Sequence, residues 1–417
     1  MKTIFLSMLT IAALASCTRQ DFIDPNGGGT DPGVQGDKML VDITLGNGEM
    51  TKAPGVPNNT EEKTITDLTV FFLNNSDQIV SRTFVTGGAN IVDDTDTPGN
   101  KKTTVETRTT ASKVMVIANI GENRTETGGT LNVSNKAQLL AVMQDLAVPK
   151  SASDQSWVPF QEKGNLLMSG DGNVSAMTPN TETPTDPYTA NATVNLNYIG
   201  AKITLKSITV SNTAQGDYGD NKDFVFTKAY LLNAQTKSHY FPTYLPATAD
   251  LAFANGTWET DNWGENTFPI VADFSQTLSI PTITKNTPVE NLAHWYVFAN
   301  APQSTAKADN PTILAVQVKW LEEKAGDTKA DGTTVDANKY VNKNFNVIFA
   351  PGDKGIIEAG KAYDVTLTFN GDFRPGTSGG NAGGGEDKPD EPNIKANVTV
   401  SVKPAEWTTA PTPKPFE

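Results

Sequence analysis

Short runs in which apolar and polar residues alternate recur along most of this 417-residue chain. A period of two puts successive side chains on opposite faces, so each run reads as a strand with one face for a core. Met39–Leu45, Thr193–Tyr198 and Lys202–Val210 read as strands this way, and the more continuously apolar runs Leu68–Leu73 and Lys113–Ala118 read as strands too. So do Phe224–Phe226, Trp295–Phe298, Ile313–Val318, Val365–Phe369 and Ile394–Val402. Turn clusters such as Thr86-Gly-Gly88 and Asn233-Ala-Gln-Thr236 separate them. One helix is expected: Ser134 or Asn135 caps it, Leu139, Val142 or Met143, and Leu146 follow at helical spacing, and Pro149 stops it. Many short strands with one or few short helices predict a mainly β chain of β-sandwich domains. The loop-rich stretch 151–190 and the new run of strands from Ala201 put a domain boundary near 198–201.

Charge narrows the partners. The net charge of −14 lacks the basic face that nucleic acid or an anionic membrane surface requires. With one Cys and two His, a disulfide scaffold, a Cys/His zinc site and a Cys/His nucleophile pair are all disfavoured.

The first residues read as an export signal. Met1-Lys2 is followed by an apolar stretch, Ile4–Leu14, too short for a permanent membrane span. Leu14-Ala15-Ser16-Cys17 then looks like a lipoprotein lipobox, with residues 1–16 removed and lipid attached to Cys17, the sole cysteine. A polar tether follows, Thr18–Lys38, carrying Gly27, Gly28, Gly29, Gly33 and Gly36.

Catalytic and cofactor signatures are missing: there is no Gly-x-Ser-x-Gly, no Walker loop and no His-Glu-x-x-His. The glycine cluster Gly376–Gly385 lacks a following Lys-Ser/Thr and reads as a linker. Asp93-Asp94-Thr95-Asp96 and the Asp217–Asp223 stretch lack calcium-loop spacing and read as solvated loops, so no metal or cofactor is expected. His239 and His294 sit beside aromatics and read as packed residues, and the Trp residues, Trp258 and Trp263 included, as core or edge packing. Unassigned carboxylates leave a glycosidase open without selecting one.

Two tethered segments share one pattern. Met39, Val41, Ile43 and Leu45 form an apolar face near the start; Ile394, Ala396, Val398, Val400 and Val402 form another near the end. Burying four such side chains is worth about 6–12 kcal/mol gross. Either they are edge strands of their own domains, or they compete for one groove. In the second case the covalently joined leader keeps an effective-concentration advantage on the order of millimolar until a cut removes it.

Taken in order, several motifs resemble the Bacteroidales fimbrillin family, the FimA-type major fimbrial subunits whose polymers are called type V pili. They are the lipobox, Thr51-Lys52-Ala53, Ile65-Thr-Asp-Leu-Thr-Val-Phe-Phe72, Val114-Met-Val-Ile-Ala-Asn-Ile-Gly121 and a short helix. Asn165-Leu-Leu-Met-Ser-Gly170, Ile199-Gly-Ala-Lys-Ile-Thr-Leu205, Ala359-Gly-Lys-Ala-Tyr-Asp-Val-Thr-Leu367 and Val398-Thr-Val-Ser-Val402 with Trp407 complete them. The resemblance implies two transthyretin-like β-sandwich domains, 53–198 and 199–417, behind a lipidated propeptide, 17–52, held at the outer membrane. It implies a trypsin-like protease cutting between Lys52 and Ala53, expulsion of the strand Met39–Leu45, and a donor strand within 394–403 that fills the vacated groove of the next copy or a related subunit. The best-known members are cut after Arg, and here Lys52 stands at that position. Removing residues 1–52 leaves 29 basic against 41 acidic residues, a net charge of −12.

The expected function is therefore a structural, non-enzymatic stalk subunit of surface fimbriae that supports adhesion. The alternatives are a tip or anchor subunit, a surface glycan-binding lipoprotein, and a surface glycoside hydrolase.

Overall fold

The computed structural model describes residues 21–22, 36–47, 62, 64–96, 99–145, 147–149, 157–159, 166–181, 188–232, 234–235, 237–241, 253–254, 275–299, 312–348, 357–375, 398–405 and 414–415. The chain is mainly β, arranged as two stacked β assemblies.

The first assembly contains β1 (Lys38–Asn47), β2 (Asp67–Leu73), β3 (Ile79–Thr86), β4 (Lys101–Arg108), β5 (Lys113–Ala118), β6 (Met168–Asn173) and β7 (Tyr188–Tyr198). Their order is β3-β2-β5-β6-β7-β1-β4, with Asp21–Phe22 beside β3 and Val92–Asp93 beside β4. Neighbours are antiparallel except β7 and β1, which run parallel. β6 and β7 share only two pairs, Met168 with Tyr198 and Ser169 with Asn197. Past them the same register returns where Val174 bridges Ala192, and glycine lets the two backbones run close in between: a Cβ on Gly170 or Gly172 would lie 2.2 Å from the carbonyl oxygen of Asn195 or Thr193. The two halves of the sheet share one core, in which Val70, Phe72, Val114 and Val116 cluster with Val105, Val194 and the apolar face of β1.

β2 is buried along its whole length. Its other face, with that of β5, presents Phe71, Leu73, Met115 and Ile117 to a second cluster. Burial on both sides explains why Leu68–Leu73 is almost continuously apolar.

The second assembly contains β8 (Gly200–Val210), β9 (Phe224–Leu232), β10 (Val289–Phe298), β11 (Ile313–Glu323), β12 (Lys339–Ile348), β13 (Ala362–Phe369) and β14 (Val398–Ala405). One sheet runs β10-β8-β13-β14 with Lys414–Pro415 outermost; the other runs β9-β11-β12 with Ser275–Thr277 beside β9. Ile203, Leu205, Phe226, Val316, Val365 and Phe369 share the core between them. Phe224 stacks on Phe373 with ring centroids 4.3 Å apart. Trp295 and Trp320 are buried here, and the Trp320 indole N–H donates to the Phe373 carbonyl at 2.8 Å.

The single α-helix among the described residues, α1 (Lys136–Ala141), is shorter than its periodicity predicts. Asn135 caps it, accepting the backbone N–H of Gln138 at 2.9 Å. Val142 is already extended, and Met143–Asp145 becomes a strand paired with Lys237–His239 from the second half of the chain. Tertiary pairing there overrides local helical spacing; Leu146 lies outside the described residues.

The two histidines separate. His239 is buried, but His294 lies on the exposed face of β10, because alternation turns Ala293, Trp295 and Val297 inward. The expectation that His294 is packed is corrected accordingly; its ring meets that of Tyr296 edge-on, with centroids 5.5 Å apart.

Candidate functional site

β1 is an interior strand. It makes an antiparallel ladder with β4, from Lys38 opposite Arg108 to Leu45 opposite Lys101. On its other side it makes a parallel ladder with β7, from Met39 opposite Tyr188 to Asn47 opposite Leu196. Met39, Val41, Ile43 and Leu45 are all essentially inaccessible to solvent. The reverse face carries Asp42, whose carboxylate accepts the Thr104 hydroxyl at 2.6 Å. Lys38 pairs with Glu106 at 3.1 Å at one end of the slot. Hydrogen bonds on both flanks and an apolar face beneath make this slot specific for an extended, alternating peptide.

The trailing strand lies elsewhere. β14 pairs antiparallel with β13, placing Val398, Val400 and Val402 opposite Phe369, Leu367 and Val365. The single chain therefore holds its leading strand inside the first sheet and its trailing strand near the rim of the second. Ile394, Ala396, Cys17, Lys52, Ala53, Trp258, Trp263 and the glycine cluster Gly376–Gly385 lie outside the described residues.

The acidic loops are internally engaged. Lys101 pairs with Asp93 at 2.7 Å, and Lys102 with Asp94 at 2.8 Å and Asp96 at 2.9 Å. Asp223 accepts the backbone N–H of Asp217 at 2.8 Å. Among the described residues no group of three or more His, Cys, Asp and Glu is placed to hold a metal ion.

Two polar clusters at the junction of the assemblies went unseen in the sequence. Glu62 is buried, and its Oε1 accepts Lys202 Nζ at 2.5 Å and the Tyr296 hydroxyl at 2.6 Å. Its backbone carbonyl accepts the Tyr198 hydroxyl at 2.9 Å. Burial, with the Glu62 charge adding to it, holds the Tyr198 phenol well above its ordinary value. In the second cluster Gln144 Oε1 accepts Arg124 Nη1 and the Tyr240 hydroxyl, each at 2.7 Å. Both clusters tie residues far apart in sequence, and no local motif announces them.

Residues 200–407 match the family described as FimA-like major fimbrial subunit protein, C-terminal domain. By that domain the chain belongs to the FimA-like fimbrial subunit family. The span opens at β8 and ends beyond β14, so the trailing strand is part of the fimbrillin domain. Among solved structures, a Bacteroides eggerthii protein titled as a cell adhesion protein is similar at 23% identity and a TM-score of 0.59, over 90% of this chain and 97% of that one. A fimbrilin from Porphyromonas gingivalis is similar at 16% identity and a TM-score of 0.51, over 91% of this chain and all of the other. These likenesses concern the fold. No curated protein matches the chain.

Proposed function

We propose that this fimbrillin is a stalk subunit of cell-surface fimbriae, exported as a lipoprotein, cut between Lys52 and Ala53, and polymerised by strand exchange. β1 would leave its slot and a strand from within residues 394–403 of another subunit would enter it. The observation that carries the reading is that β1 lies between two ladders and over an apolar core, yet precedes the candidate cut. Its loss opens two sheet edges and a trough that only another alternating strand can close. Head-to-tail exchange of this kind does not close on itself and gives open filaments.

The lysine at the cut is consistent with the remaining arginines. After Arg19 the next is Arg82, inside β3, where Nε donates to the Thr125 carbonyl at 3.0 Å and Nη1 to that of Val133 at 3.1 Å. An arginine-only protease would find no site between the leader and the core; a trypsin-like one finds Lys52.

The test compares a chain beginning at Ala53, with and without residues 393–417, by electron microscopy and sedimentation. The longer chain forms filaments and the truncated one does not. Absence of filaments from the longer chain, under conditions where the native surface protein assembles, refutes the proposal. A surface protein that retains acylated Cys17 assigns it to an anchor role instead.

A further inference from the structure

Between Lys52 and β2 the sequence holds one further basic residue, Lys63. A protease that accepts lysine meets a second candidate bond there, and cutting it would trim the mature amino terminus down to Thr64. Lys63 itself lies outside the described residues, but both its neighbours are held.

Upstream stands Glu62, with its carboxylate on Lys202 and Tyr296 and its carbonyl on Tyr198. Downstream, Asn119 Nδ2 donates to the Thr64 carbonyl at 2.8 Å, and Asn119 Oδ1 accepts the Thr66 backbone N–H at 2.8 Å. Asn119 takes a left-handed backbone conformation, φ 68°, and is fully buried. Ile65 between them is also buried in the first core. Proteolysis needs the backbone around the scissile bond to leave the fold, so burial and hydrogen bonding decide which bonds are accessible. Cutting after Lys63 would require the Glu62 clamp and the Asn119 anchor to open together.

We propose that Glu62 and the Lys202, Tyr296 and Tyr198 side chains that hold it set the downstream limit of amino-terminal processing, so that a lysine-cutting protease removes the leader at Lys52 and is stopped before Lys63. This rests on the maturation reading above for its biological setting, but the clamp is testable without it. Glu62 is a positioning residue: it touches no reacting atom, and it fixes where the cleavable segment ends. The three partners come from β7, β8 and β10, so the limit forms only once the two assemblies have docked.

The experiment is limited digestion of the full chain with trypsin, with the starting residue of each product read by mass spectrometry. The native chain accumulates product beginning at Ala53 and little beginning at Thr64. Glu62→Gln and Lys202→Met each raise the rate of cutting after Lys63 by about tenfold or more, because cleavage follows the population of the opened segment and a charge-assisted bond has been lost. Tyr240→Phe, at the other junction cluster, leaves that rate unchanged and controls for general loosening. Native cutting after Lys63 as fast as after Lys52 overturns the inference. So does an unchanged rate in both clamp variants, or an equal rise in Tyr240→Phe. An uncut Lys52 beside a Lys63 that opens only in the clamp variants would sink the maturation reading and leave the clamp standing.

Discussion

Replacing Ile43 by Ala tests whether the leader is held by one face. Ile43 is fully buried, paired with Ala192 on β7 and Thr103 on β4, and sits in the core with Val70, Phe72 and Val116. Truncating a buried isoleucine to alanine typically costs about 2–5 kcal/mol, the transfer term plus the cavity left behind. The preceding residue, Asp42, faces water, and Asp42→Ala gives up its exposed bond to Thr104, worth about 0.5–1 kcal/mol. Urea unfolding of the full chain should show this contrast in the midpoint at constant slope. Once the chain has been cut beyond β1, the same energies govern how fast the leader peptide leaves. At about 1.4 kcal/mol per factor of ten, Ile43→Ala should speed release about thirtyfold or more, and Asp42→Ala less than about tenfold. A fluorophore at the leader's amino end, followed by anisotropy, reads that rate. Equal effects of the two substitutions, or none from Ile43→Ala, would refute the one-faced slot.

Gly172→Ala would place a Cβ 2.2 Å from the Thr193 carbonyl and push β6 off β7, lowering stability by about 1–3 kcal/mol in urea unfolding. A neutral Gly172→Ala would show that the close approach of β6 to β7 needs no glycine there. Burial pushes the Tyr218 and Tyr363 phenols up to about 12 from an ordinary value of 10.0. The folded state thus keeps protons that the unfolded chain gives up, so stability is intact below pH 10 and falls as pH rises toward 12. Tyr218→Phe should flatten that decline in urea midpoints measured across the interval, and an unchanged slope would count against the buried phenol.

Alternation made the strands legible wherever apolar residues mark the inward face, as in β1, β8 and β13. It failed where the inward positions are filled by small hydroxyl residues. β4 turns Thr103, Val105 and Thr107 inward, and β3 buries Ser81 and Thr83, with the Ser81 and Thr107 hydroxyls 2.6 Å apart across the core. Threonine is β-branched and fits a pleated sheet, but it reads as polar, so these strands look like loops on paper. β6 was hidden by the glycines that let it run close against β7, and β12 by its Lys and Asn residues. The apolar face of the leader was equally plain, but its place was not. Whether such a strand lies at a rim or inside a sheet depends on β7, about 150 residues downstream, arriving parallel to it, and nothing in residues 38–47 encodes that partner. The same holds for the junction. Glu62 reads as one more surface carboxylate until Tyr198, Lys202 and Tyr296 converge on it from three strands. A buried ion pair is costly unless further hydrogen bonds support it; here the Tyr296 hydroxyl donates to the Glu62 carboxylate, while the Tyr198 hydroxyl holds the Glu62 backbone carbonyl. That requirement makes the clamp a property of the docked assemblies, which no segment carries alone.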